Sequence, residues 1–375
     1  MSKIVVIAGL AESLIRFRGE LLDAMQANGH EIAAIAPEDD DSVRKRLAEK
    51  GIAYHVVPMA RAGVNPFADL SYLLRLRRCL REIKPDVALA YTIKPVVYGL
   101  PAARLAGVKR RYALITGLGY AFTEVEASVS RRLLNRVASG LYRFGLHFAN
   151  GLFFQNPDDR QLFKDQGLFK AAIPAWIVNG SGVDTDRFPV APLPAQPSFL
   201  FVGRLLRDKG IIEYVEAARV MKSTHPQAIF HLVGPLDSNP SGINADVVAG
   251  WEKEGVIQYH GAVSDVKPYL AACSVFVLPS YREGTPRSVL EAMSSGRAII
   301  TTDAPGCRET VQDGVNGILV RPRDSTDLAK AMARLADASE LREQMGRISR
   351  ELAAQKYDVH RVNAAMIAAM ELENQ

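Results

Sequence analysis

The strongest constraint on this chain is an alternation of apolar strands and amphipathic helices that starts at Lys3 and begins afresh at Ser198. Residues 3–9 form a continuous apolar run, and Leu14, Phe17, Leu21, Leu22 and Met25 follow at helical spacing. Residues 31–37, 53–57 and 86–91 read as further strands. Between the last two, residues 65–84 place Phe67, Leu70, Leu73, Leu74, Leu80 and Ile83 at intervals that predict a helix with one buried stripe, stopped by Pro85. In the second half, 199–203, 229–233, 256–260, 274–278, 298–302 and 317–320 repeat the strand pattern, with a helix over 210–222. Strands that are apolar throughout, separated by amphipathic helices, imply parallel sheets covered on both faces. The expected fold is therefore α/β, with two Rossmann-like doubly wound domains facing a central cleft, where the carboxyl ends of the strands bind ligands.

A chain of 375 residues exceeds what one core usually serves, in keeping with two domains. The expected division is 1–185 for an acceptor domain and 186–355 for a donor domain, with a tail helix over 356–375 that could cross back to the first. Three prolines in residues 191–197 mark a linker between the halves. No apolar run approaches the roughly 18–20 residues that span a bilayer. Cys79, Cys273 and Cys307 are odd in number and far apart, which suits neither a metal site nor a disulfide framework and fits a reducing cytoplasm.

Charge is distributed unevenly. Residues 1–185 carry 25 Lys and Arg against 18 Asp and Glu, a net of +7, whereas the remainder carries 21 against 23, a net of −2. The excess lies in residues 70–147, where 14 basic side chains face four acidic ones, Glu82, Asp86, Glu124 and Glu126. Arginines there are interleaved with leucine, tyrosine and phenylalanine, a mixture suited to an anionic membrane surface or a phosphate-bearing acceptor. No nucleic-acid motif accompanies it.

Two segments concentrate the chemistry. Residues 283–291 follow a buried strand and open a helix, with Thr285 expected to cap it and Pro286 to occupy its first turn. Gly284 and the backbone N–H groups around it make an anion site favoured by the helix dipole. Glu283 and Glu291 can each accept hydrogen bonds from a diol, one on a sugar and one on a ribose. Residues 203–210 lie at the end of the second half's first strand, where Arg204 and Lys209 can reach a diphosphate and stabilise the charge that grows on it.

The strand-Gly-Arg-x4-Lys-Gly element, the Glu-x7-Glu segment and residues 305–309 and 313–317 together resemble family 4 retaining glycosyltransferases of the GT-B fold. The resemblance covers essentially the whole chain. It implies that Arg204 and Lys209 hold the donor diphosphate, that Glu283 contacts the donor sugar and Glu291 the ribose, and that the donor is UDP-GalNAc or UDP-GlcNAc with no cofactor. Residues 60–67, 91–95, 116–120 and 237–241 are similar to members that transfer N-acetylgalactosamine to undecaprenyl-diphosphate-linked sugars. That similarity implies a polyprenyl-diphosphate-linked acceptor and a place on the cytoplasmic face of the inner membrane.

The first strand–helix loop has the single Gly9 where many relatives have a glycine pair. The strand end that carries a histidine in many relatives offers Thr92 and Lys94 instead. Lys94 and Arg18 are candidates to grip the acceptor diphosphate, with Gly9 beside them. Asp184 with Asp186, and Asp39 to Asp41, imitate a metal-binding Asp-x-Asp but read as a turn and an acidic loop. No metal is expected, because Arg204, Lys209 and a helix N-terminus can neutralise the diphosphate. Cys307 is read as incidental. Two alternatives stay open at this point: a nucleotide-sugar epimerase, and a glycosyltransferase with a soluble acceptor. An oxidoreductase would need Gly-x-Gly-x-x-Gly after the first strand, which residues 8–13 lack.

Overall fold

Both halves build the parallel sheets that their apolar strands require. The computed structural model describes residues 1–373 apart from 61, 62, 64, 119–128, 238 and 240, and only the backbone of 129–134. Parts of the segments 60–67, 116–120 and 237–241, and Glu124 and Glu126 of the basic stretch, thus lie outside the described residues, as do the side chains of Arg131 and Arg132. The chain divides into two units, Met1–Ser181 with His360–Gln375, and Gly182–Val359.

The first unit carries β1 (Lys3–Ile7), β2 (Glu31–Ala36), β3 (Ala53–Val56), β4 (Val87–Tyr91), β5 (Arg110–Ile115), β6 (Gly151–Phe154) and β7 (Ala175–Ile177). Among the described residues they form one parallel sheet in the order β3-β2-β1-β4-β5-β6-β7. Alternate residues feed two cores: Val5, Ile7, Ala88 and Ala90 pack on one face, Ile4, Val6, Val87 and Leu89 on the other. This is why β1 and β4 read as unbroken apolar runs.

Helix Pro66–Ile83 starts where expected, with the Asn65 side chain accepting from the N–H groups of Phe67 and Ala68. Its buried stripe differs from the expected one. Tyr72, Leu73, Leu76, Leu80 and Ile83 face inward, whereas Phe67, Leu70 and Leu74 are 87 %, 55 % and 50 % exposed. Two stripes satisfy helical spacing here, and the sheet takes the one that also contains Leu76. Phe17 is also exposed, because the expected single helix breaks between Ala11–Arg16 and Gly19–Ala27. Beyond β4 the backbone makes a π-helical turn, Pro95–Gly99, before the α-helix Leu100–Ala106. The final helix, Val359–Ala369, lies against this sheet: Met366, Ile367, Met370 and Leu372 join the core of Ile4 and Val6. Arg110 donates to the Met370 and Glu371 carbonyls, both at 3.3 Å.

The second unit carries β8 (Ser198–Val202), β9 (Ile229–Val233), β10 (Gln258–Tyr259), β11 (Val275–Leu278), β12 (Ala298–Thr302) and β13 (Gly317–Val320). They too are parallel, in the order β10-β9-β8-β11-β12-β13, which matches the Rossmann order 3-2-1-4-5-6. Residues 191–197 do not link the units; they lie inside the second one. The Ala191 N–H donates to the Ser295 carbonyl, and the fully buried Arg297 guanidinium donates to the Pro192 carbonyl. The polypeptide passes from the first unit to the second at 181–182 and back at 359–360.

Candidate active site

In the second unit the two chemical segments meet at the carboxyl ends of β8 and β11. Gly203 follows β8, and Arg207–Lys209 makes one 3₁₀ turn before helix Ile211–Thr224. Gly210 turns the chain with φ +72°, so close to the other segment that a Cβ there would stand 2.0 Å from the Pro279 carbonyl oxygen. The Asp208 carbonyl accepts from the Tyr281 N–H at 2.9 Å and from the Ser280 hydroxyl at 3.1 Å. These backbone ties fix the loop after β8 against the loop after β11. Lys209 Nζ then reaches Glu283 Oε1 in a part-buried ion pair.

A third loop braces Glu283. Its N–H donates to the Pro305 carbonyl at 2.9 Å, and Gly306, at φ +81°, leaves room for the Glu283 carbonyl, 2.2 Å from where a Cβ would lie. Gly284 and Thr285 continue the loop. The helix begins later than expected, at Arg287, because Pro286 stays extended and its carbonyl accepts from Val289 and Leu290. Pro286 therefore takes the N-cap position, and Thr285 lies outside the helix. Glu291 sits in the second turn, where Arg287 Nε donates to its Oε1 at 2.9 Å. Arg204 remains half-exposed and donates to Asp237 Oδ2 at 2.9 Å. The result is two fixed carboxylates, two cations at a strand end and the positive end of a helix. Such a set binds polyanions and hydroxyl groups together.

Cys307 lies beneath this loop, fully buried. Burial, and then the Glu283 carboxylate, push its thiol up to about 12, so it stays protonated and inert. Elsewhere in the unit His231 Nδ1 and His260 Nε2 share a hydrogen bond at 3.0 Å. Burial and the neighbouring His260 lower His231 to about 4.

In the first unit Gly9 follows β1 and Thr92 follows β4, the adjacent strand. Lys94 is held by Asp69 in a part-buried ion pair of 2.7 Å, and the other Asp69 oxygen accepts from the Tyr98 hydroxyl at 3.0 Å. Arg18 is only 3 % exposed; its guanidinium donates to Ser181 Oγ at 3.3 Å and lies 5.2 Å from the Tyr91 ring centre. Both cations thus have intramolecular partners that their sequence positions did not reveal. No sequence motif marks Asp69 or Asp237 as a partner; an acid in the first turn of an otherwise arginine-rich helix is the available hint for Asp69. Asp184 accepts from the N–H groups of Asp186 and Arg187, and Asp40 caps helix Asp41–Glu49, so each imitation of a metal motif has a local backbone role. Among the described residues no three His, Cys, Asp or Glu side chains are grouped to hold a metal, and no helix is long and apolar enough to cross a membrane.

Comparison with known proteins bears on both units. The family model described as "Glycosyl transferases group 1" matches residues 196–338, and "Glycosyl transferase 4-like domain" matches residues 15–176. The N,N'-diacetylbacillosaminyl-diphospho-undecaprenol alpha-1,3-N-acetylgalactosaminyltransferase of Campylobacter jejuni is 29 % identical over 344 residues, covering 88 % of each chain. The UDP-Gal:alpha-D-GlcNAc-diphosphoundecaprenol alpha-1,3-galactosyltransferase of Escherichia coli is 27 % identical over 80 % of this chain and 76 % of its own. Among solved structures, sucrose-phosphate synthase from Thermosynechococcus elongatus superposes with a TM-score of 0.82 at 18 % identity, covering 99 % of this chain and 98 % of that one. Anabaena HepE in complex with UDP and glucose gives 0.79 at 19 %, covering 99 % and 100 %. At these identities the two structures speak for the fold alone.

Proposed function

Because the chain belongs to the group 1, family-4-like glycosyltransferases, we propose that it transfers an N-acetylhexosamine, N-acetylgalactosamine first in order, from a UDP-sugar to a polyprenyl-diphosphate-linked glycan with retention of configuration. The observation that carries this reading is the joint between the loops after β8 and β11, which sets Lys209 beside Glu283 within the segment matched by the group 1 model. In the reaction the bond from the sugar's anomeric carbon to the diphosphate breaks, and a bond to an acceptor hydroxyl forms on the same face. Lys209 and Arg204 would stabilise the negative charge arriving on the diphosphate, with the first turn of helix Arg287–Ser294, Gly284 and Thr285 around it. Glu283 would fix the donor sugar and Glu291 the ribose. Gly9, Lys94 and Arg18 would form the acceptor side, the two cations as fixed positive charges held by their partners.

The choice of acceptor rests on the Campylobacter jejuni and Escherichia coli relatives, both named for undecaprenyl-diphosphate-linked substrates. Both are transferases, which gives no support to an epimerase. A peripheral position on the anionic cytoplasmic face of the inner membrane is supported by the exposed Phe67, Leu70 and Leu74, with Arg77, Arg78 and Arg81 further along the same helix. The deciding experiment offers UDP- and GDP-sugars with and without a polyprenyl-diphosphate-linked acetamido sugar and follows nucleotide release. Release of UDP that requires the lipid-linked acceptor is expected. Release driven equally by a soluble sugar would favour the soluble-acceptor reading, and interconversion of UDP-sugars without any acceptor would overturn transfer altogether.

A further inference from the structure

The turn after β4 is strained where the sheet does not need it to be. Thr92 has φ +69°, a left-handed conformation that a β-branched residue adopts only under constraint. Its hydroxyl oxygen is buried and has no hydrogen-bond partner among the described residues. That oxygen lies against Gly9, where a Cβ would stand 2.3 Å from it, so only glycine at position 9 permits the arrangement. The polar groups around Thr92 are paired: Tyr91 with Ser13 at 2.7 Å, and Lys94 and Tyr98 both with Asp69. The Thr92 carbonyl accepts from the Val96 N–H at 3.1 Å, which opens the π-helical turn Pro95–Gly99. Strain, an orphaned hydroxyl and a π-turn each disfavour the folded state. They coincide at the carboxyl ends of two adjacent parallel strands, the edge where such sheets take ligands.

We propose that Thr92 is the hydrogen-bonding anchor for the acceptor, taking a ring hydroxyl of the acceptor sugar; this rests on the glycosyltransferase reading above. Thr92 as a whole is only part-buried although its oxygen is buried. A rotation of about 120° around χ1 moves the hydroxyl away from Gly9 and sets the methyl group there instead. A threonine hydroxyl both donates and accepts, so it can complete either role of a sugar hydroxyl. Lys94, held by Asp69, and the π-turn keep the backbone of the anchor in place.

Three variants of the full chain separate this role from a structural one. Thr92→Val keeps the shape and the strain but removes the hydroxyl, Thr92→Ser keeps the hydroxyl, and Thr92→Gly removes both hydroxyl and strain. With a polyprenyl-diphosphate-linked acetamido sugar as the probe and UDP-sugar saturating, Thr92→Val should lose about 10- to 100-fold in acceptor kcat/KM. Thr92→Ser should stay near wild type, UDP affinity should be unchanged in all three, and Thr92→Gly should lose acceptor turnover while its Tm rises. Acceptor kcat/KM for Thr92→Val within about twofold of wild type overturns the proposal, as does a loss of Tm and UDP affinity in parallel with activity. Failure of the wild-type protein to turn over any polyprenyl-diphosphate-linked sugar would overturn the functional reading itself, a result distinct from an active wild type with an indifferent Thr92→Val.

Discussion

Lys209 and Glu283 hold each other in a part-buried ion pair, so removing Lys209 takes a cation from both the Glu283 carboxylate and the donor. Lys209→Ala and Arg204→Ala should each lower turnover by about 10²- to 10³-fold, as for loss of one transition-state charge donor, measured as kcat/KM for the UDP-sugar. Near-normal turnover in both would remove the diphosphate grip from the mechanism. His231 gives a pH dependence with a definite sign. Its folded value, about 4, lies below the ordinary imidazole value, so the unfolded chain binds the extra proton between roughly pH 6.5 and 4. Stability is therefore full above that window and falls as pH drops through it. Replacing His231 by Gln should flatten the fall of Tm between pH 7 and 5; an unchanged slope would refute the assignment. Lys209 and Glu283 were legible in the sequence because each belongs to a short, spaced motif. Asp69 and Asp237 were not, because each meets its partner across 25 or 33 residues of chain, a separation that no local pattern encodes.

The loops that carry the motifs depend on two glycines whose neighbours leave no space for a side chain. Gly306→Ala combines a left-handed backbone with a collision against the Glu283 carbonyl, and should cost about 2 kcal/mol or more of stability. Because the collision bears on the Glu283 loop, turnover should fall as well; a variant with wild-type Tm and kcat would show that the loops move independently. Helix Pro66–Ile83 raises a different issue. Its period and its cap were readable, but Phe67, Leu70 and Leu74 compete with the stripe through Leu76 for the buried face, and only the sheet beneath decides between them. The exposed stripe and the arginines beyond it should bring the protein down with phosphatidylglycerol vesicles at low salt and release it at high salt. Reversing charge at Arg77, Arg78 and Arg81, or placing Asp at Phe67, should weaken sedimentation without changing UDP affinity. Equal binding to neutral and anionic vesicles, or none to either, would defeat the membrane reading.

Two parallel sheets that share the order 3-2-1-4-5-6, the first with β7 added at its edge, account for most of what the alternating pattern foretold, since parallel strands buried on both faces write themselves as apolar runs. Short strands such as β7, three residues long, leave no such trace. The charge balance at the donor has its own test. If the two cations and the helix dipole meet the diphosphate charge, turnover should survive EDTA; loss restored by Mn²⁺ would return Asp184 and Asp186 to consideration. The expected division at 185–186 and 355–356 lies a few residues from the crossings at 181–182 and 359–360, because Gly182 to Asp186 and residues 356–359 pack with the second unit. At these crossings Val183 and Asp358 pair, and a Cβ on Gly182 would stand 2.6 Å from the Val359 Cα. On the ribosome, the sheet of β1 to β7 must wait while all of 182–359 is synthesised before Met366, Ile367 and Met370 arrive to cover Ile4 and Val6. The second unit, by contrast, is one uninterrupted peptide whose two ends already touch, so a gene could carry it from host to host as a single insert.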